Sequence, residues 1–476
     1  MDPFISATEL AARIRRREVS PVDVAEFYLN RIDEFNTAVN AIIWRNDDEV
    51  LAGAHRVEQA LSAGIDLPPF AGVPMPIKDV VAVAGQPNTF GSARVSDAPQ
   101  AANDLIVDRI LAAGFIPMGR TNAPEAAMTQ VTENTKYGIT RNPWDLDRTP
   151  GGSSGGAAAA VAAGMAPIAS GGDGGGSIRM PASCTGLVGL KPSRARVPSR
   201  VLAWEHGTAG GALTRTVEDA ARVLDVLSVP DPYGWYRAPA PERPFAADLD
   251  RPATPLRIGL LTETATGVSV DPECVAAAEF TARLLAAQGH EVIPVEPGII
   301  SSRALDLYMF SVIGAALHTI PWFDTEGIEP FISARMKMAE QKPSSAYARD
   351  VVEMHLESRK MVAHWVDDFD VLLTPTLASK VPEVGVILQD ANRRLDGCSE
   401  LEARMLAFCA FVNITGLPAI SLPVAMDSDG VPLGAQLIGG PFAEATLLRL
   451  SAGLERELDW QARRPQKFRQ VQGERS

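Results

Sequence analysis

Gly151–Gly152–Ser153–Ser154–Gly155–Gly156 and, further on, Gly171–Gly172–Asp173–Gly174–Gly175–Gly176–Ser177–Ile178–Arg179 decide how this chain is read. The first run contains a G-x-S-x-G match, the mark of a nucleophile elbow. An elbow needs a strand directly before it. Here the preceding residues are Asn142–Pro143–Trp144–Asp145–Leu146–Asp147–Arg148–Thr149–Pro150, a turn-like stretch, so the elbow reading fails. Nor is 151–189 a flexible linker. Ala157–Ala163 is a strong helix former in its midst, and the Gly and Ser positions look placed rather than repeated.

Working outward, Gly72–Val73–Pro74–Met75–Pro76–Ile77–Lys78–Asp79 sets a lysine at the end of an apolar run. Ala7–Glu18, Pro21–Phe35 and Glu49–Ala63 carry apolar residues at helical spacing, and Ser20–Pro21 has the form of an N-cap and first helical position. Beyond Val73 the pattern alternates. Val80–Ala84 reads as a strand, Asp104–Ala113 as a helix and Phe115–Met118 as a strand. Leu256–Leu261, Pro272–Gln288 and Glu291–Val295 repeat strand, helix, strand. Ser345–Asp368 reads as a long amphipathic helix; Asp370–Pro375, Ala419–Val424 and Gly434–Ile438 read as strands. Such alternation predicts an α/β fold: a large mixed β-sheet flanked by helices on both faces. The Pro- and Ala-rich segment Tyr233–Pro255 reads as a surface connector between two halves of that sheet.

The 476 residues are 46% hydrophobic and 21% charged, ordinary globular composition. A formal net charge of −14 disfavours phosphate backbones, so no nucleic-acid partner is expected. The Arg15–Arg16–Arg17 cluster reads as a solvated helix face. The first twenty residues hold Arg and Glu where a signal peptide needs an apolar core, and the Gly155–Ala169 run is too short to span a bilayer. No membrane association is expected. Cys184, Cys274, Cys398 and Cys409 show no paired spacing and fit reduced thiols in a cytoplasmic protein. His55, His206, His290, His318, His355 and His364 do not fall at metal-ligand spacing, and a Walker loop is missing, so no metal or other cofactor is expected.

Taken together, the lysine box, the two serines 24 residues apart (153 to 177) and their flanks resemble the amidase signature family. The flanks include Thr121–Asn122, Arg141–Asn142–Pro143–Trp144, Pro181–Ala182–Ser183, Gly189–Leu190–Lys191–Pro192–Ser193, Thr214–Arg215–Thr216 and Asn413–Ile414–Thr415–Gly416–Leu417–Pro418–Ala419. The resemblance implies a hydrolase of amide carbon–nitrogen bonds with a Ser-Ser-Lys triad. Ser177 would be the acyl-forming nucleophile, Ser153 the proton relay and Lys78 the base. A lysine can serve as base only when uncharged, which burial favours, and the apolar run before Lys78 supplies such a setting. The family holds the residue matching Ser153 through a cis peptide, expected here at Gly152–Ser153. Main-chain N–H groups of Gly174, Gly175, Gly176 and Ser177 are expected to face the oxyanion, with Asp173, Arg179 and Ser154 supporting the loop. The family pattern sets Ala127–Gln130 near the acyl pocket, making Thr129 a candidate contact. Trp204, Phe310 and Trp322 are candidates to line it.

Gly171–Gly176, Ser183–Cys184, Asp271–Pro272–Glu273–Cys274–Val275 and Leu372–Leu373–Thr374–Pro375–Thr376–Leu377–Ala378 are similar to the branch that includes cyclic-dimer nylon-oligomer hydrolases and related actinobacterial amidases. The substrate expected is a small amide, and a homodimer is a possible assembly that the sequence does not fix. The alternative is a glutamine-hydrolysing A subunit of a tRNA-dependent amidotransferase. In that subfamily an acidic residue seven before the motif Asn helps hold glutamine; here the position is Leu406. A non-catalytic binding relative is the third reading, which the presence of Lys78, Ser153 and Ser177 does not favour. Residues 1–70 are expected to form a helical segment packed on one large domain, 71–476. Its signature core spans about 71–230, and a helical insertion on the substrate side spans about 300–400.

Overall fold

The computed structural model describes residues 1–251, 253–395 and 399–469. Eight strands form a mixed sheet, in the order Glu291–Pro294, Arg257–Leu260, Val371–Pro375, Pro432–Gly439, Ala419–Met426, Val188–Lys191, Ala209–Thr214 and Ala169–Asp173. The first three run parallel and every later pairing is antiparallel. A separate three-stranded sheet sets Ile116–Thr121 between Ile42–Trp44 and Pro74–Lys78.

Side chains of a strand alternate between faces, and here the alternation sorts them into two cores. Val371 and Leu373 join the cluster formed with the helices Val217–Leu227, Pro272–Ala287 and Glu444–Leu458. Leu372, between them, joins Met361, Trp365, Phe408 and Phe411 on the opposite face. Leu437 and Ile438 divide the same way. Helices therefore cover both faces, as the strand–helix alternation implies.

Ala7–Arg15, Pro21–Val39 and Asp47–Ser62 are the N-terminal helices. Ser20 caps the second through its Oγ, which accepts from the main chain of Val22 and Asp23, with Pro21 at the helix start. Leu10, Ile14, Tyr28 and Ile32 from these helices enter the same core as the sheet residues Ile258 and Leu437. Among residues 300–400, Pro330–Glu340 and the long helix Ser344–Asp367 dominate. Residues 396–398, including Cys398, lie outside the described residues.

One strand departs from the sequence reading. Val80–Ala84 is a turn, and the extended segment is Pro74–Lys78, fully buried. Proline lacks an N–H and is normally confined to strand edges. Pro74–Lys78 is an outer strand of its small sheet, pairing only with Ile116–Thr121, across a register shift between Met75 and Ile77. The main chain turns at once beyond Lys78, where Val80 and Val81 donate back to Lys78 O. In the connector, Phe245 opens the short 3₁₀ turn Phe245–Asp248 and is buried, so part of that segment packs rather than merely links.

Candidate active site

Lys78 ends the strand Pro74–Lys78, and its main-chain N–H donates to Ser170 Oγ at 2.9 Å. This bond ties the small sheet to the strand Ala169–Asp173, which leads into the second Gly-rich run. Asp79 pins the next residue, accepting from the Thr89 and Gly91 main chain and lying 3.8 Å from the buried Arg120 guanidinium. The Lys78 side chain is directed by these anchors into the first Gly-rich run. Its Nζ lies 2.7 Å from Ser153 Oγ and 2.9 Å from Ser154 Oγ.

The two serines are not equivalent. Ser154 Oγ also accepts from Gly172 N–H and donates to Gly172 O, so its proton is committed to the main chain. Ser153 Oγ has no protein partner other than Lys78 among the described residues. The Gly152–Ser153 peptide is cis, as expected. Gly152 is required by contact: a Cβ there would meet main-chain atoms of Val131 at 2.7 Å. The Thr129 hydroxyl, expected to meet substrate, instead donates to Val131 O at 2.8 Å and holds the chain that lies against Gly152.

Lys78 is only 1% exposed, and burial pushes its amine down to about 7 against a weaker opposing pull from Asp173. The amine thus loses its charge near neutral pH rather than near 10.5. Neutral, it can donate to Ser154 and keep its lone pair for the proton of Ser153.

Asp173 organises the second Gly-rich run. Its Oδ1 accepts from Gly176 N–H at 2.8 Å, and its Oδ2 accepts from Ile178 N–H at 3.2 Å. Arg179 closes on the same carboxylate through Nε and Nη2, each at 2.9 Å. Burial opposes the charge, yet the Arg179 guanidinium holds the Asp173 carboxyl far below the usual carboxylate range. Arg179 reaches further, to Gln436 Oε1 and Asn413 Oδ1, both at 2.7 Å. A buried pair with its remaining donors satisfied is costly to break from one side.

This network corrects one expectation. Gly176 N–H belongs to Asp173 and is not an open donor. The N–H groups of Gly174, Gly175 and Ser177 have no protein acceptor among the described residues. They are the free main-chain donors of the loop. Ser177 follows them at 9% exposure, and its hydroxyl makes no protein hydrogen bond among the described residues.

Trp204 faces this loop. A Cβ at Gly174 would meet its indole at 2.5 Å, and its ring meets Tyr308 edge-on. The Tyr308 hydroxyl donates to Gly174 O at 2.7 Å. Tyr308 stands two residues before Phe310, in the π-helical stretch Leu307–Val312, while Trp322 donates its indole N–H to Leu317 O. Leu406 Cδ2 lies 3.7 Å from a Cβ built on Gly175. Sequence reasoning did not assign Ser170, Asn413, Gln436 or Tyr308. Asn413 was visible only as part of a motif, and the other three carried no local signal. Among the described residues, no group of three or more His, Cys, Asp or Glu side chains is placed to hold a metal ion, and no helix is long and apolar enough to cross a membrane.

Residues 23–448 match the family model described as Amidase. A 6-aminohexanoate-cyclic-dimer hydrolase of Pseudomonas sp. (strain NK87) is 36% identical over 488 residues, covering 98% of this chain and 97% of that protein. An acylamidase of Rhodococcus erythropolis is 33% identical over 472 residues, covering 97% of each. The solved structure of a 6-aminohexanoate cyclic dimer hydrolase complexed with substrate superposes with a TM-score of 0.92 at 34% identity, covering 98% of this chain and 100% of that one.

Proposed function

Because the chain belongs to the amidase family, and so is a hydrolase of amide carbon–nitrogen bonds, we propose that it works through an acyl-enzyme on Ser177, with Ser153 as relay and Lys78 as base. The observation that carries this reading is the 2.7 Å contact between Ser153 Oγ and the amine of Lys78, whose charge burial disfavours. The amine takes the Ser153 proton as Ser153 takes that of Ser177. Ser177 Oγ then forms a bond to the amide carbon, and the carbonyl π pair moves onto oxygen. Two or more of the free N–H groups of Gly174, Gly175 and Ser177 meet that oxyanion. One such donor is typically worth about 10²–10³ in rate. Collapse breaks the carbon–nitrogen bond, and the leaving amine carries off the proton held by Lys78, returned through Ser153. Water then repeats the sequence on the ester and releases the carboxylate.

The substrate is a small amide. Leu406 beside Gly175 offers a hydrocarbon side chain where the amidotransferase reading requires an acid, which supports a simple hydrolase over that reading. A cytoplasmic setting completes the reading, supported by the buried free thiols of Cys184, Cys274 and Cys409. The experiment is a hydrolysis screen over aliphatic, aryl, peptide and cyclic amides with the wild type and Ser177→Ala. Hydrolysis by the wild type and none by the variant, at unchanged thermal unfolding, is expected. Turnover by Ser177→Ala would remove Ser177 as nucleophile.

A further inference from the structure

We infer that Asn413 is a positioning residue. Its amide clamps both sides of the reacting loop at once and sets the rate of acyl transfer rather than the binding of substrate. The inference rests on the functional reading above.

Asn413 lies in the short helix Ala410–Thr415 and is 1% exposed. Its Nδ2 donates to Asp173 O at 2.9 Å and Asp173 Oδ1 at 3.0 Å, and in the other direction to Gly207 O at 2.8 Å. Its Oδ1 accepts from Arg179 Nη2 at 2.7 Å. The guanidinium fixes which way the amide points, because a flipped amide would set its NH₂ against another donor. One hydrogen of the amide therefore serves the residue that opens the Gly174–Ser177 loop, and the other serves the turn that faces it.

That turn needs outside support. Trp204, Glu205 and His206 have φ of 57°, 50° and 59°, three consecutive non-glycine residues in the left-handed region. Each such residue is unfavourable and persists only where its surroundings hold it. The holds are on every residue. Trp204 packs against Gly174 and Tyr308, and Glu205 accepts from the Tyr347 hydroxyl at 2.7 Å. His206 O accepts from Arg194 Nε at 2.9 Å, and Gly207 O accepts from Asn413. Arg194 is itself bound to residue 413, since its Nη2 donates to Asn413 O at 2.9 Å and Ile414 O at 2.8 Å. Side chain and main chain of Asn413 thus grip the same turn from two points.

Between these grips lie Gly174 and Gly175, with Trp204 over the first. Their N–H groups can meet an oxyanion only if the loop is fixed relative to Ser177, and small displacements of such donors are expensive in rate. Asn413 touches neither substrate nor the reacting atoms, so its contribution belongs in kcat. It carries no charge and makes no hydrogen bond to Lys78 or Ser153, so the pH midpoint of the rate should not follow its replacement by alanine.

The test measures kcat, KM and the pH–rate profile of Asn413→Ala and Asn413→Asp on the best amide from the screen. The rate of fluorophosphonate labelling at Ser177 is measured beside them. Asn413→Asp keeps the acceptor for Arg179 but loses both donors. Expected are a kcat lower by about 10²-fold in each variant, labelling slowed in parallel, KM within about threefold of wild type, and, in Asn413→Ala, which adds no charge, an unmoved pH midpoint. Arg194→Lys, which loosens the guanidinium's links to His206 O, Asn413 O and Ile414 O and leaves the Asn413 side chain in place, covers the case in which the Asn413 variants do not fold; it should lower kcat at least about tenfold by the same displacement of donors. Wild-type kcat in any folded Asn413 variant or in Arg194→Lys, or a loss confined to KM, overturns the inference. If the wild type itself hydrolyses no amide and Ser177 is not labelled, it is the functional reading that fails.

Discussion

Replacing Lys78 by Met separates what the buried amine does for chemistry from what it costs the fold. In the folded protein its amine is pushed from an ordinary 10.5 down to about 7 by burial. The unfolded chain therefore binds a proton that the folded chain releases throughout the interval between those values. Stability from this group is fully present above 10.5 and is lost as pH falls toward 7. At about 1.4 kcal/mol per decade, the full interval amounts to roughly 5 kcal/mol, of which about 2 kcal/mol is gained between pH 7 and pH 9. Methionine has nearly the same reach and no charge to bury. It forfeits the contacts to Ser153 and Ser154, about 1 kcal/mol each at ordinary hydrogen-bond worth, a loss independent of pH. Lys191, a second buried lysine held at about 7, titrates in both proteins and cancels in the comparison. Urea unfolding at pH 7 and pH 9 reads the difference directly. Wild type should gain about 2 kcal/mol more than Lys78→Met over that interval. The variant should also lose at least about 10³-fold in hydrolysis, in line with removal of an activating base. Equal gains for the two proteins would mean that Lys78 does not change charge in this range, and the argument for a neutral base would fail.

Other consequences are open to simpler assays. Hydrolysis by the wild type should rise with pH and level off above a midpoint near 7, since only the neutral Lys78 amine can accept a proton; a rate flat from pH 5 to 9 would contradict this. Asp173→Asn leaves Arg179 buried opposite a neutral amide and should cost about 3–5 kcal/mol in urea unfolding as well as activity. Gly174→Ala drives a Cβ into Trp204 and should depress kcat about 10²-fold in a folded protein; substitution without effect would mean the loop does not hold the oxyanion. Burial pushes the Glu455 carboxyl up to about 7, so its share of stability is whole below about 4.5 and is lost as pH rises through 7. Glu455→Gln should therefore raise the unfolding temperature at pH 8 and not at pH 4.5.

How much of this was legible in the sequence differs from one part of the molecule to another. The strand–helix alternation after residue 255 gave elements to within a residue or two, because the strands there are short, mostly apolar segments that alternate with long helical patterns. The small sheet was misread at Val80–Ala84. Prolines at 74 and 76 argue against a strand, and only the edge position of that strand reconciles them with the pairing. Lys78, Ser153 and Ser177 stood out because each sits in a distinctive local motif. Gly176 looked equivalent to its neighbours, and only the position of Asp173 Oδ1 shows its N–H to be taken. Asn413 and Gln436 reach Arg179 from 234 and 257 residues away, a juxtaposition that no local pattern encodes. The three left-handed residues Trp204–His206 include no glycine or asparagine, and Gly207 after them marks a turn without showing that conformation, which the side chains around it hold.

If the acyl group rides on one serine hydroxyl, rapid quenching during turnover of a slow amide or ester, followed by peptide mass mapping, should find it there. An added acyl mass is expected on the peptide that contains Ser177, absent in Ser177→Ala and slow to form in Lys78→Met. An active enzyme that accumulates no acyl group under burst conditions, or that carries it on another residue, would rule out Ser177 as its carrier.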